Sequence, residues 1–134
     1  MHWSVLIMGS YRTNVSFVAP ATVTTPALTI GNVSFGVNDT GILYIRWNNG
    51  TGIFRHILDS VTVGGAAGTV GGTATTGINP TTWIALTGQV AMTGNGGSKW
   101  FYIVNDATGE SYEVFLSART FSTKTYYIRV HYYQ

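Results

Sequence analysis

The sequence predicts an all-β chain, and three observations carry that expectation. Helical periodicity is nearly absent. Thr, which suits a pleated half-buried surface better than a helix, occurs 20 times in 134 residues. Short apolar runs recur between Gly, Asn, Asp and Pro, the rhythm of many short strands. Eight or nine strands in a chain of this length imply two packed antiparallel sheets: a two-sheet β-sandwich, jelly-roll-like, with little or no helix. The length fits one domain, residues 1–134, large enough to fold without a metal or a disulfide.

The first strand is placed at 3–8. Its apolar run lacks a basic flank and is too short for a secretory leader, so synthesis in the cytoplasm without a signal peptide is expected. Further strands are placed at 14–18, 27–35, 42–47, 53–63, 83–92, 99–104, 112–118 and 125–133. The stretch between Pro20 and Pro26 reads as an extended connection at a sheet edge.

Two turns fix register. Asn49-Gly50 is a type I′ signal joining the strands at 42–47 and 53–63 as a hairpin. That pairing sets Arg46 opposite Ile53 and Tyr44 opposite Arg55. It sends Leu43, Ile45, Trp47 and Phe54 inward, with His56 on their side, and Tyr44, Arg46 and Arg55 outward. A second hairpin turns at Asp106-Ala107-Thr108-Gly109, where Gly109 supplies a left-handed residue. In the last strand Tyr126, Ile128, Val130 and Tyr132 share the buried side, and Tyr127, Arg129, His131 and Tyr133 form a wet stripe. The segment 64–77 holds no charge and no large side chain. It reads as a flexible loop, or as one that orders only against a neighbouring subunit.

Chemistry-bearing patterns are few. The chain has no Cys, which excludes thiol catalysis, Fe–S clusters and Cys-based zinc sites. His2, His56 and His131 show no metal-ligand spacing, and no strand-to-helix Gly-x-Ser-x-Gly turn is present. Glu110 and Glu113 flank the second hairpin, but five acids in all make a paired-acid cleft a poor expectation. The turns carrying Asp39 and Asp106 are rich in oxygen, as calcium would require, yet turn chemistry explains both. No enzyme activity, cofactor or metal is expected. The seven cations are scattered, against specific nucleic-acid binding, and no stretch is apolar enough to span a membrane as a helix.

What stands out is scarcity of charge. Only 9% of residues are ionised, against about 25% usually, while 13% are aromatic. A small β chain so poor in charge stays dispersed by covering its surface with polar residues or with copies of itself. The expectation is a non-enzymatic structural protein of an oligomeric assembly. The best match of character is a bacteriophage or viral virion component of capsid-decoration, fibre or spike type, placed in the virion or outside the cell. Its partners would be its own copies and other virion proteins. The alternative is a carbohydrate-binding, lectin-like module that attaches to cell-surface glycan. The residues expected to make either contact are Tyr44, Arg46 and Arg55, and separately Tyr127, Arg129, His131 and Tyr133.

Overall fold

Period-two alternation organises the longer strands, which bury one side, whereas Val33–Val37 is buried on both. The computed structural model describes residues 9–48, 53–63, 66–67, 73–77 and 80–134. The strand expected at 3–8 and the Asn49-Gly50 turn lie outside these. The strands are β1 (Ser10–Val18), β2 (Leu28–Ile30), β3 (Val33–Val37), β4 (Leu43–Trp47), β5 (Ile53–Val63) and β6 (Ala66–Ala67). They continue as β7 (Thr73–Gly77), β8 (Ile84–Ala85), β9 (Ser98–Asn105), β10 (Ser111–Thr120) and β11 (Thr125–Tyr133). Strand is the dominant state of the described residues; a 3-10 turn at Phe121–Thr123 is the helical element among them.

Two antiparallel sheets result. One runs β1-β11-β10-β9-β5-β6, with β7 also beside β5; the other runs β2-β3-β4-β8. Val33, Phe35, Leu43, Ile45 and Trp47 of the smaller sheet share one buried apolar cluster with Phe54, Phe101, Tyr112, Val114 and Ile128 of the larger. Rings meet edge-on between the sheets, Phe35 with Tyr112 at 5.9 Å and Trp47 with Phe54 at 5.0 Å. Each such side chain contributes about 1.5–3 kcal/mol by leaving water, which makes this cluster the main force holding the sheets.

Four expectations need correction. The strands at 42–47 and 53–63 do not pair as a hairpin: β4 pairs with β3 and β8, and β5 with β6, β7 and β9. Arg46 stands opposite Ser34, not Ile53, and Arg55 opposite Thr75 and Val104, not Tyr44. The inward and outward sides were nonetheless legible, because alternation belongs to each strand alone. Partner choice depends on closing the core, and Trp47 against Phe54 does that from opposite sheets.

The single strand expected at 27–35 is the hairpin β2–β3. Gly31 turns it with φ +59°, and a Cβ there would lie 2.7 Å from Tyr112 Oη and from the Tyr132 ring. The strand expected at 83–92 shrinks to Ile84–Ala85 because a side chain takes over its pairing. The Gln89 amide accepts from Leu43 N at 2.7 Å and donates to Leu43 O at 2.9 Å, as a strand residue would. Within 64–77, β6 and β7 pair with β5 of the same chain, since backbone ladders need no large side chains; the rest of that segment lies outside the described residues. The β9–β10 hairpin turns where expected, with Gly109 at φ +77°.

Candidate functional site

The outer face of the seven-stranded sheet gathers four of the expected residues and adds others. Tyr127, Arg129 and His131 are half-buried there and Tyr133 is exposed, as alternation in β11 requires. Cross-strand register lines Asn14, Arg129, Phe115 and Trp100 in one row, and Arg12, His131, Glu113, Tyr102 and Ile57 in the next. Trp100 and Phe115 rings lie 4.7 Å apart, and Phe115 meets Tyr127 at 6.3 Å. The Arg129 guanidinium sits 5.3 Å from the Phe115 ring and 5.8 Å from Trp100, and Arg119 sits 4.5 Å from Tyr127. His131 stacks on Tyr133 at 4.3 Å, with Nδ1 and Tyr133 Oη hydrogen-bonded at 3.0 Å. Guanidinium over arene is weakly hydrated, so this face gives up little hydration when covered.

Arg55 belongs to the same face, three strands from Tyr133 across Ser111 and Val104. It is held by Asp106 through Nε at 2.8 Å and through a second nitrogen at 2.9 Å. The hydrogen-bonded guanidinium keeps the exposed Asp106 carboxyl below its ordinary range. The expected grouping of Arg55 with Tyr44 and Arg46 therefore does not occur.

Tyr44 and Arg46 lie on the outer face of the smaller sheet, beside Trp83. Gly36 makes room for this arrangement: a Cβ there would come within 2.4 Å of Val23 Cγ1 and 3.4 Å of the Trp83 ring. Val23 and Trp83 thus rest on bare backbone. Between them opens a cleft of about 410 Å³ lined by Thr22, Tyr44, Thr81, Thr82 and Trp83. The Arg46 guanidinium stacks on Trp83 at 4.7 Å.

Glu110, His56 and Lys99 are buried away from both faces. Glu110 accepts four hydrogen bonds: Thr108 Oγ1 at 2.9 Å, Asn32 Nδ2 at 3.1 Å, Tyr112 Oη at 2.9 Å and Tyr132 Oη at 3.0 Å. His56 Nε2 accepts from Thr87 N at 3.2 Å, so its proton sits on Nδ1 toward Thr76 Oγ1, also at 3.2 Å. Burial lowers the imidazole pKa. Lys99 donates to Gly41 O at 2.6 Å and Gln89 Oε1 at 3.2 Å, and burial pushes its ammonium down to about 7. The oxygen-rich turns behave as turns: Asn38 Oδ1 accepts from Thr40 N and Ile42 N, and Asn105 Oδ1 from Ala107 N.

Sequence reasoning passed over Trp100, Phe115 and Tyr102 on the outer face, and Lys99 within. A signal existed for each. The alternation that buries Phe101 and Ile103 puts Lys99 beside them and turns Trp100 and Tyr102 outward. Among the described residues no cluster of three or more His, Asp or Glu could hold a metal, and no helix is long and apolar enough to cross a membrane. Comparison with protein-family models, curated proteins and solved structures finds no match to this chain.

Proposed function

We propose that this chain is a non-enzymatic structural subunit of an oligomeric assembly, of the kind that decorates or builds a virus or phage particle. It meets its neighbours through the outer face of the seven-stranded sheet. The observation that supports this is the continuous layer of Trp100, Phe115, Tyr127 and Arg129, half-buried already within one chain, with the exposed Arg119 over Tyr127. Aromatic residues and Arg are what interface centres concentrate, and Lys and Glu are what they exclude. The scarcity of charge over the whole chain points the same way. The fold reading that accompanies it is a β-sandwich with jelly-roll character. It draws on the core shared by both sheets and on the chain's crossings between them, from β1 to β2, β4 to β5, β7 to β8 and β8 to β9.

Light scattering after size exclusion tests the proposal. The wild-type chain should run as a symmetric oligomer, and Tyr127→Ala with Arg129→Ala should weaken association by about 10- to 100-fold, the range for interface anchors. An unchanged mass in the double variant would remove this face from the interface.

The cleft on the other sheet favours a second reading, attachment to a glycan. Tyr44 and Trp83 offer ring faces to a sugar, and Thr22 on the rim offers a hydroxyl. A glycan array probed with the wild type and with Trp83→Ala separates the readings. A signal lost in Trp83→Ala supports attachment, and a blank array leaves assembly alone.

A further inference from the structure

We propose that β1 is a seam between two copies of this chain. Its free edge pairs antiparallel with the same edge of a second copy about a two-fold axis at Asn14, joining two seven-stranded sheets into one. The seam rests on the reading of the chain as a self-assembling subunit and says where one of its contacts lies.

Among the described residues β1 has one partner strand, β11, and ends the sheet. Long edge strands are normally blunted by Lys, Pro or a bulge, because their unpaired N–H and C=O groups recruit other strands. Ser10–Val18 has no Lys, Pro or bulge, and its one charge, Arg12, lies on the outer face beside His131. Its register with β11 runs unbroken from Ser10↔Tyr133 to Val18↔Thr125.

Backbone geometry says which groups are free. Ala19 N donates to Lys124 O at 2.8 Å, one step beyond Val18↔Thr125, so residue 19 points its polar groups at β11. Those groups alternate sides along a strand. Residues 11, 13, 15 and 17 therefore bond to β11, while Arg12, Asn14 and Ser16 present N–H and C=O to the open edge.

A two-fold at Asn14 sets Arg12 opposite Ser16 of the partner subunit, and Asn14 opposite Asn14 of the partner subunit. All are residues whose backbone groups face outward, so each pair exchanges two hydrogen bonds. No like charges meet. On the core side, Tyr11 falls opposite Phe17 of the partner subunit, and Thr13 opposite Val15 of the partner subunit. That side needs cover: Val15 and Phe17 are only half-buried against the core, and Tyr11 is 51% exposed. On the other side Arg12, Asn14 and Ser16 flank His131, Arg129 and Tyr127, so the seam also doubles the outer face.

The absence of cysteine gives a clean test. Directly opposed hydrogen-bonded residues have Cα atoms about 5.5 Å apart, within the span a disulfide bridges. Asn14→Cys should oxidise to a covalent dimer, whereas Thr108→Cys on the exposed β9–β10 turn should stay monomeric on a denaturing gel. Asn14→Pro removes an N–H that faces the open edge and spares the ladder to β11. It should weaken association by at least about 10-fold, with a melting temperature close to wild type. If wild type is oligomeric but Asn14→Cys does not cross-link and Asn14→Pro keeps the full mass, the seam is wrong and the assembly reading survives. Cross-linking in an assembly indifferent to Tyr127→Ala and Arg129→Ala keeps the seam and discards the outer face. A monomeric wild type overturns both.

Discussion

Glu110 shows what a buried charge needs at the scale of one residue. Its carboxylate takes four donors, two of them Tyr hydroxyls on β10 and β11 and one the side chain of Asn32 in the β2–β3 turn. It ties the smaller sheet's first hairpin to the larger sheet without a cation. Glu110→Gln removes the charge that all four donors share and leaves one oxygen where there were two. We expect a loss of about 3 kcal/mol in a urea melt, since hydrogen bonds to a buried charge are worth more than neutral ones; a loss under about 1 kcal/mol would refute the account. His56 works in the opposite sense. Burial disfavours the imidazolium and holds its pKa below the ordinary 6.5, and the unprotonated Nε2 accepts from Thr87 N. Above that value neither state binds the proton. Below it the unfolded chain takes up a proton that the folded chain refuses, so stability falls. Melts between about pH 7.5 and pH 5 should show this decline, and His56→Gln should flatten it. Alternation already placed His56 on the side of Phe54 that the structure buries. It gave no hint of Glu110, whose partners lie on strands far apart in sequence.

At the scale of elements, the strands were far easier to read than their pairings. Alternation located β5 and β11 to the residue, because one buried side imposes period two wherever the strand is placed. It could not say that β4 and β5 part company. A turn signal is local, whereas the choice of sheet is settled by contacts such as Trp47 on Phe54. The β2–β3 hairpin was missed for a related reason. Gly31 sits inside an apolar run, and its role comes from Tyr112 and Tyr132, 81 and 101 residues onward. Two glycines therefore make a paired prediction. Gly109→Ala meets open space and carries only the cost of a left-handed Ala, about 1 kcal/mol. Gly31→Ala carries that cost and a Cβ 2.7 Å from two Tyr side chains, so it should lose at least about 3 kcal/mol. Equal losses in parallel denaturant melts would mean the β2–β3 turn can move away from the core at little cost.

For the whole molecule, charge scarcity was plain from composition, but composition hid that a cation, Lys99, is inside as well as Glu110. Lys99 lies among apolar neighbours with two oxygens to bond and no carboxylate among those partners. Burial sets its pKa at about 7, against 10.5 in an exposed lysine. Between these values the unfolded chain binds a proton that the folded chain does not, so stability climbs as pH rises. The climb ends where tyrosines intervene. Burial, reinforced by the Glu110 charge at Tyr112 and Tyr132 and by Asp39 at Tyr126, raises their phenols above 10, Tyr126 and Tyr132 to about 12. Above pH 10 the unfolded chain loses those protons first, and stability falls again. The two effects together place the stability maximum at about pH 9 to 10, on the order of 2–3 kcal/mol above its value at pH 7, where most proteins peak between 5 and 8. Lys99→Met keeps the volume and removes the titration, so its maximum should move down toward neutrality while alkaline stability stays near wild type. Urea melts across the pH range, wild type against variant, read the difference directly. Coincident curves would mean that folding costs the ammonium nothing, and that the two oxygens at Gly41 and Gln89 replace its water in full.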